Sequence, residues 1–262
     1  MNPMKRSVLI FLFMLLFASC GGGGGSDDGG GSVGGDTPGK INVGGHGLQI
    51  YCAGAGGGPM ILMDAGWGQD SGVWIGVQDY LGDYRSCGYN RAGYDPSDSG
   101  PEPRDSQQLA TEMHALLHNA GYSPPYVLVG HSLGGTNIRM FAAMYPGEVA
   151  ALVFIDPAHE DYKTVDDSDI RREESRGLAS NIISELRNAN SSLEQLRGTR
   201  LPDVPTVVLT SMKDRSQGWY DAHDQLVQQV SNGTHLVTTT SNHNIHVEDA
   251  QLVADTIRMV MP

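Results

Sequence analysis

The sequence predicts an α/β fold with a mostly parallel sheet covered by helices on both faces, and three observations carry that prediction. Short apolar runs rich in β-branched residues recur along the chain, at Met60–Met63, Tyr126–Val129, Leu152–Ile155 and Pro205–Thr210. Between them lie stretches with apolar residues at helical spacing, notably Asp105–Ala120 and Thr136–Tyr145. Strands that alternate with helices in this way build parallel sheets from crossover units. Finally, Gly130-His131-Ser132-Leu133-Gly134-Gly135 joins a strand to a helix without any intervening loop.

The first elements of the chain stand outside this pattern. Lys5-Arg6 precedes an apolar run from Val8 to Ala18, too short to span a bilayer, where about 20 apolar residues are needed. A basic start and a short apolar core make a secretory signal over residues 1–19. The run closes on Phe17-Ala18-Ser19-Cys20, which resembles a bacterial lipobox, with Phe17 where Leu is usual. That resemblance implies lipidation of Cys20 and attachment to a membrane of the bacterial envelope; the alternative is a plainly secreted protein. Residues 20–40 are dominated by glycine, cannot bury a core and read as a flexible tether with a spread of about 25 Å. The globular domain then occupies residues 41–262.

Within that domain, the run Leu48–Cys52 predicts a strand, and Met60–Met63 predicts a second, ending in the turn Asp64-Ala65-Gly66-Trp67-Gly68. Tyr84–Cys87 gives a third, followed by Asn90-Arg91-Ala92-Gly93-Tyr94. After the helix Asp105–Ala120, the strand Tyr126–Val129 feeds the glycine-flanked serine. A G-x-S-x-G turn between strand and helix holds the serine at a strained apex with its hydroxyl clear of the sheet. Gly130 and Gly134 stand where a Cβ would collide as strand and helix fold back on each other. The helix that follows aims its N-terminal amides at any oxyanion formed there. Ser132 is therefore the candidate nucleophile.

A serine needs a base to take its proton and an acid to orient that base. The strand Pro205–Thr210 is followed by a loop with Lys213, Asp214 and Arg215, and the strand His235–Thr240 by Ser241-Asn242-His243-Asn244-Ile245-His246. A helix over Asp249–Met259 closes the chain. The order Ser132, Asp214, His243 gives a serine, acid, histidine succession. Asp156, in the Asp-Pro turn after Leu152–Ile155, is the alternative acid, and His246 the alternative base.

Together these segments resemble the α/β-hydrolase fold serine hydrolases, carboxylesterase-like members above all, over roughly Ile41 to the C-terminus. The oxyanion turn is matched by Asp64–Gly68, the usual Asp-Arg-x-Gly by Asn90–Gly93, and the sixth-strand segment by Leu152–His159. The resemblance implies an eight-stranded sheet, a Ser132–Asp214–His243 triad and oxyanion donors at the backbone N–H groups of Trp67 and Leu133. The Trp67 ring is a candidate apolar wall for the acyl group, with a core aromatic beside a glycine turn as an equal reading. Three positions depart from the family: Asn90 for Asp, Asn242 for the Gly often found before the histidine, and Ala65-Gly66 for His-Gly. The charged stretch 161–201, with helical segments at Ser168–Leu178 and Ile182–Leu196, corresponds to the family's cap. Its shortness implies a partly open cleft; a solvated excursion away from the site is the alternative. His131, beside the serine, should point away from the attacking face as a hydrogen-bonded, half-buried histidine.

The remaining features narrow the function. Seventeen Lys and Arg against 30 Asp and Glu give a net charge of −13, or about −15 once Lys5 and Arg6 leave with the signal, which disfavours nucleic acid as a partner. His243-x-x-His246-x-Glu248 and His159-Glu160-Asp161 match no zinc pattern, and neither a dinucleotide fingerprint nor a P-loop is present, so no metal or cofactor is expected. With Cys20 set apart, Cys52 and Cys87 remain. In the family their strands are neighbours, so an exported chain can join them in a disulfide; two buried thiols are the alternative. The resulting expectation is a hydrolase acting on a small-molecule carboxylic ester. Lactonase, amidase, thioesterase and cofactor-free haloperoxidase activities are alternatives on the same fold, as is a non-catalytic envelope binding protein. Epoxide hydrolases and haloalkane dehalogenases need an aspartate where Ser132 stands.

Overall fold

The computed structural model describes residues 39–162, 165–213 and 215–261. The expected signal, Cys20 and most of the glycine tether lie outside these residues, as does Asp214.

Eight strands form one sheet: β1 (Lys40–Asn42), β2 (Gly47–Ala53), β3 (Ile61–Asp64), β4 (Ser86–Tyr89), β5 (Tyr126–His131), β6 (Val149–Ile155), β7 (Thr206–Ser211) and β8 (Gly233–Thr238). Their spatial order is β1-β2-β4-β3-β5-β6-β7-β8. From β4 to β8 every pairing is parallel; β2 lies antiparallel to both β1 and β4. All expected strands form, but β8 starts two residues earlier than the apolar run suggested.

Helices α1 (Ile75–Leu81) and α8 (Ala250–Arg258) cover one face, where Val77, Leu81, Val253 and Ile257 meet Val127, Val129 and Val153. Helices α2 (Ser106–Asn119), α3 (Leu133–Met144) and α6 (Gln217–Val227) cover the other, where Met113, Leu116, Ile138, Phe141 and Leu226 meet Leu128, Leu152 and Phe154. Alternate residues of β5 and β6 thus feed opposite cores, which is why those strands are apolar throughout. Asp105 caps α2, its carboxylate accepting from the Gln108 N–H at 3.0 Å. The sequence reading did not anticipate α1 or α6.

The insertion holds α4 (Asp167–Glu174), entered through a capping box at Asp166, and α5 (Ser180–Leu196). A short α7 (Ile245–Glu248) precedes α8. No helix among the described residues is long and apolar enough to cross a membrane. Cys52 lies directly opposite Cys87 in the β2–β4 register, with Cα atoms 4.1 Å apart, and the two are disulfide-bonded.

Candidate active site

Loops at the C-terminal ends of the central parallel strands converge on one place. Ser132 follows β5 directly at φ 52°, ψ −114°, and α3 begins with the next residue. A non-glycine residue there is strained and holds only where its surroundings dictate it. They do so here through backbone bonds: the Ser132 N–H donates to the Ile155 carbonyl at 3.2 Å, and the Ala158 N–H donates to the Ser132 carbonyl at 3.1 Å. The glycines supply the room. A Cβ on Gly130 would run into the Gly134 backbone, and one on Gly134 into the Asp64 carbonyl. The expected steric role of Gly130 is therefore met, while Gly134 makes room for the end of β3 rather than for its own strand.

The base side is equally defined. His243 Nδ1 lies 2.6 Å from Asp156 Oδ2, with the histidine one-third exposed and the aspartate fully buried. A carboxylate acceptor places the ring proton on Nδ1 and leaves Nε2 free as a base. Asp156 also accepts from the Ser211 N–H at 3.0 Å and from Trp219 Nε1–H at 2.9 Å. Burial alone would raise the Asp156 pKa, but the hydrogen bond and charge of His243, with His223 and Trp219, outweigh it and hold the carboxyl below its usual range. The Arg215 guanidinium adds positive charge 3.7 Å from Oδ2 and lies over the Trp219 ring.

The carboxylate on His243 is thus that of Asp156, where the sequence reading favoured Asp214, itself outside the described residues. Asp156, in the Asp-Pro turn, is the alternative acid of the sequence reading. At φ 43°, it is the second strained non-glycine residue among those described, and the kink at the end of β6 accompanies its inward carboxylate. Trp219 and Ser211 then fix it, and Trp219 comes from the unanticipated α6.

His246 does not compete for this position. It is buried against Trp74 and His131, with ring centroids 4.7 and 4.2 Å away, and neither ring nitrogen finds a hydrogen-bond partner among the described residues. Burial, reinforced by His243, lowers its pKa to about 3, so it stays neutral. His131 is more buried than expected: Nε2 meets the His243 carbonyl at 2.9 Å and Nδ1 lies 3.1 Å from Gln69 Oε1, and the single N–H of the neutral ring can donate to one of these two oxygens. Burial, then the neighbouring His246 and His243, push its pKa well down, which keeps it neutral as well. His131 therefore ties the histidine loop to the strand that carries Ser132.

The turn after β3 completes the surroundings. The Gly66 N–H donates to Gln69 Oε1 at 3.1 Å and the Gly68 N–H to the Tyr94 hydroxyl at 3.0 Å, while the intervening Trp67 N–H has no acceptor among the described residues. Leu133 is the first residue of α3, so its N–H has no intrahelical acceptor either. The Trp67 indole N–H donates to the Ile182 carbonyl at 2.7 Å, which makes it a strut to α5 rather than a core aromatic. Below the turn, buried Arg91 donates to Asp64 at 2.7 Å, to Glu185 at 2.8 and 3.0 Å, and to the Ala65 and Gly66 carbonyls. Tyr94 also donates to Glu185 at 2.7 Å. The insertion thus packs onto the turn, as a cap would. Asn90, where the family's Asp was expected, accepts from the Ser71 N–H and hydroxyl and donates to the Asp95 carbonyl, a loop role.

Residues 59–192 match the family model of the alpha/beta hydrolase fold. The chain belongs to the α/β-hydrolase fold family. Among characterised and uncharacterised relatives, it is 36% identical over 130 residues to the probable transporter efuK of Hormonema carpetanum, covering 47% of this chain and only 19% of that one. It is 26% identical over 209 residues to the uncharacterised protein YqjL of Bacillus subtilis, covering 75% and 81% of the two chains. A thermophilic esterase of Thermogutta terrifontis shares the fold at TM-score 0.64 and 18% identity, over 82% of this chain and 92% of that one. The epoxide hydrolase CorEH does so at 0.66 and 17%, over 84% and 96%. Such neighbours establish the architecture and leave the chemistry to the residues.

Proposed function

We propose that this family member is a serine hydrolase that cleaves small-molecule carboxylic esters through an acyl-enzyme. Ser132 acts as nucleophile, His243 as base and Asp156 as the orienting acid. The observation that carries this reading is the 2.6 Å His243–Asp156 pair, tied through His131 to the strand that presents a strained Ser132. His243 Nε2 takes the proton from the Ser132 hydroxyl as its oxygen attacks the ester carbonyl, and Asp156 stabilises the imidazolium. The Trp67 and Leu133 N–H groups receive the oxyanion. His243 then protonates the departing alcohol, and water regenerates the serine by the same steps in reverse. Serine in place of aspartate separates this chain from the epoxide-opening chemistry named for CorEH.

Fluorophosphonate labelling tests the reading, because it reports an activated serine without knowledge of the substrate. Wild-type protein should label at one site and Ser132→Ala should not. Labelling that survives in Ser132→Ala overturns the assignment. A series of p-nitrophenyl esters from acetate to palmitate then ranks acyl length.

We further propose export and lipidation at Cys20, with the glycine-rich stretch as tether. The Cys52–Cys87 disulfide supports this, since such bonds persist in oxidising compartments. Cys20→Ser should lose lipid incorporation and membrane partition; unchanged attachment of that variant contradicts the proposal.

A further inference from the structure

We propose that His114, His118 and Glu148 form a binding site for a divalent transition-metal ion of the zinc class, remote from the triad. His114 and His118 stand four residues apart on α2, so both rings leave the same helix face one turn apart. Glu148 arrives independently, from the short turn Pro146–Glu148 between α3 and β6. One ligand atom from each of the three lies within 4.8 Å of the others. His114 Nε2 is 3.2 Å from Glu148 Oε1, and His118 Nε2 is 2.9 Å from Oε2. Around a tetrahedral zinc ion with bonds near 2.0–2.2 Å, neighbouring ligand atoms stand about 3.3–3.5 Å apart, so small side-chain shifts admit the ion.

The rings are held in place before any ion arrives. His114 stacks nearly flat on Tyr145, with centroids 3.9 Å apart at 14°, and His118 meets the Tyr126 ring edge-on at 6.5 Å. Aromatic support of this kind fixes ring orientation much as outer-shell hydrogen bonds do. The three side chains are 28%, 40% and 24% exposed, so an ion can enter from solvent. Two imidazoles and one carboxylate suit zinc, cobalt or nickel rather than magnesium or calcium, which prefer all-oxygen shells. Both rings must present an unprotonated Nε2 and carry their proton on Nδ1, and water completes the fourth position.

The site lies at the N-terminal end of β6, whereas Asp156 follows its C-terminal end. At about 3.3 Å per residue, the seven-residue strand separates the two by about 20 Å. A bound ion would clip the second half of α2 to the turn that launches β6. It would act as a structural clasp and leave the ester chemistry untouched.

Isothermal titration of the tag-free, EDTA-treated protein with zinc chloride tests the proposal, with cobalt(II) absorption reporting coordination geometry. One ion per chain, visible bands of tetrahedral cobalt and a zinc-dependent rise in Tm are expected. His118→Ala and Glu148→Gln should each weaken binding at least tenfold and abolish the rise in Tm, with fluorophosphonate labelling unchanged. His118→Gln serves as a second variant if His118→Ala fails to fold. Absence of binding to folded wild-type protein, or undiminished affinity in a His114→Ala/His118→Ala double variant, overturns it.

Discussion

The two edges of strand pairing around the middle of the sheet are built on opposite terms. At β2–β4, Ile50 to Ala53 pair in unbroken register with Tyr89 to Ser86, and a disulfide joins Cys52 to Cys87. At the C-terminal ends of β5 and β6, Ser132 and Asp156 both sit at positive φ, and three histidines crowd together with ring centroids under 5 Å. One region satisfies its backbone and needs nothing from chemistry. The other holds strain and neutral buried imidazoles in place by surrounding them. Strain and rule-breaking that persist in a folded chain mark where function resides.

Substitutions should separate the two regions by what they damage. The largest effect belongs to Ser132→Ala, which should lower ester turnover by about three to six orders of magnitude, as removal of a triad member does, while Tm holds or rises. Near-normal turnover there would dissolve the distinction. Asp156→Asn follows: a loss of about 10⁴ in kcat is expected from an amide that favours the wrong imidazole tautomer. Asp214→Asn should be far milder, and the reverse ranking in folded variants would return the acid to the β7–β8 loop.

The β2–β4 edge should respond the other way. Cys52→Ser/Cys87→Ser is expected to cost about 2–4 kcal/mol in denaturant unfolding, from a closed loop of about 35 residues, and to leave kcat and KM unchanged, since neither cysteine contacts the proposed triad. A matching loss of turnover would show that the edges are mechanically coupled. The smallest effect is one histidine's share of an acid sensitivity. Burial lowers His246 to about 3 and His223 to about 4, and lowers His131 well below its ordinary value, whereas an unfolded histidine titrates near 6.5. Their folded pKa values are depressed, so the unfolded chain gains protons first as pH falls. Stability should therefore be full above about pH 6.5 and decline below it by about 1.4 kcal/mol per pH unit for each histidine involved. His246→Leu should make that slope shallower in urea unfolding measured from pH 7.5 to 5.

The sequence made much of this legible because the informative signals are local. Strand alternation and the glycines around Ser132 act within a few residues, and His243 follows closely on the end of β8. Asp156 ranked second to Asp214 because the contacts that fix its carboxylate, Trp219 and Ser211, are brought to it by α6 and β7 from more than 50 residues away. Helix α6 itself was missed, since its buried Trp219, Ala222, His223 and Leu226 include a histidine that dilutes the apolar stripe. His114 and His118 show helical spacing in the sequence alone, but Glu148 joins them only once α3 folds back along α2. The His243–His246–Glu248 spacing failed as a metal pattern for the converse reason: His246 turns inward, and Glu248 is held by the Asn242 N–H at 2.8 Å.

The Arg91–Asp64–Glu185 cluster under the oxyanion turn has a consequence for timing. Lifting α5 would take Glu185 from Arg91 within a buried set of one cation and two carboxylates, and breaking such a set leaves uncompensated charge at a cost of several kcal/mol. The insertion is therefore bolted down onto the turn after β3. On the proposed esterase reading, the pace of turnover should then depend on acylation or deacylation rather than on the beat of a moving cover.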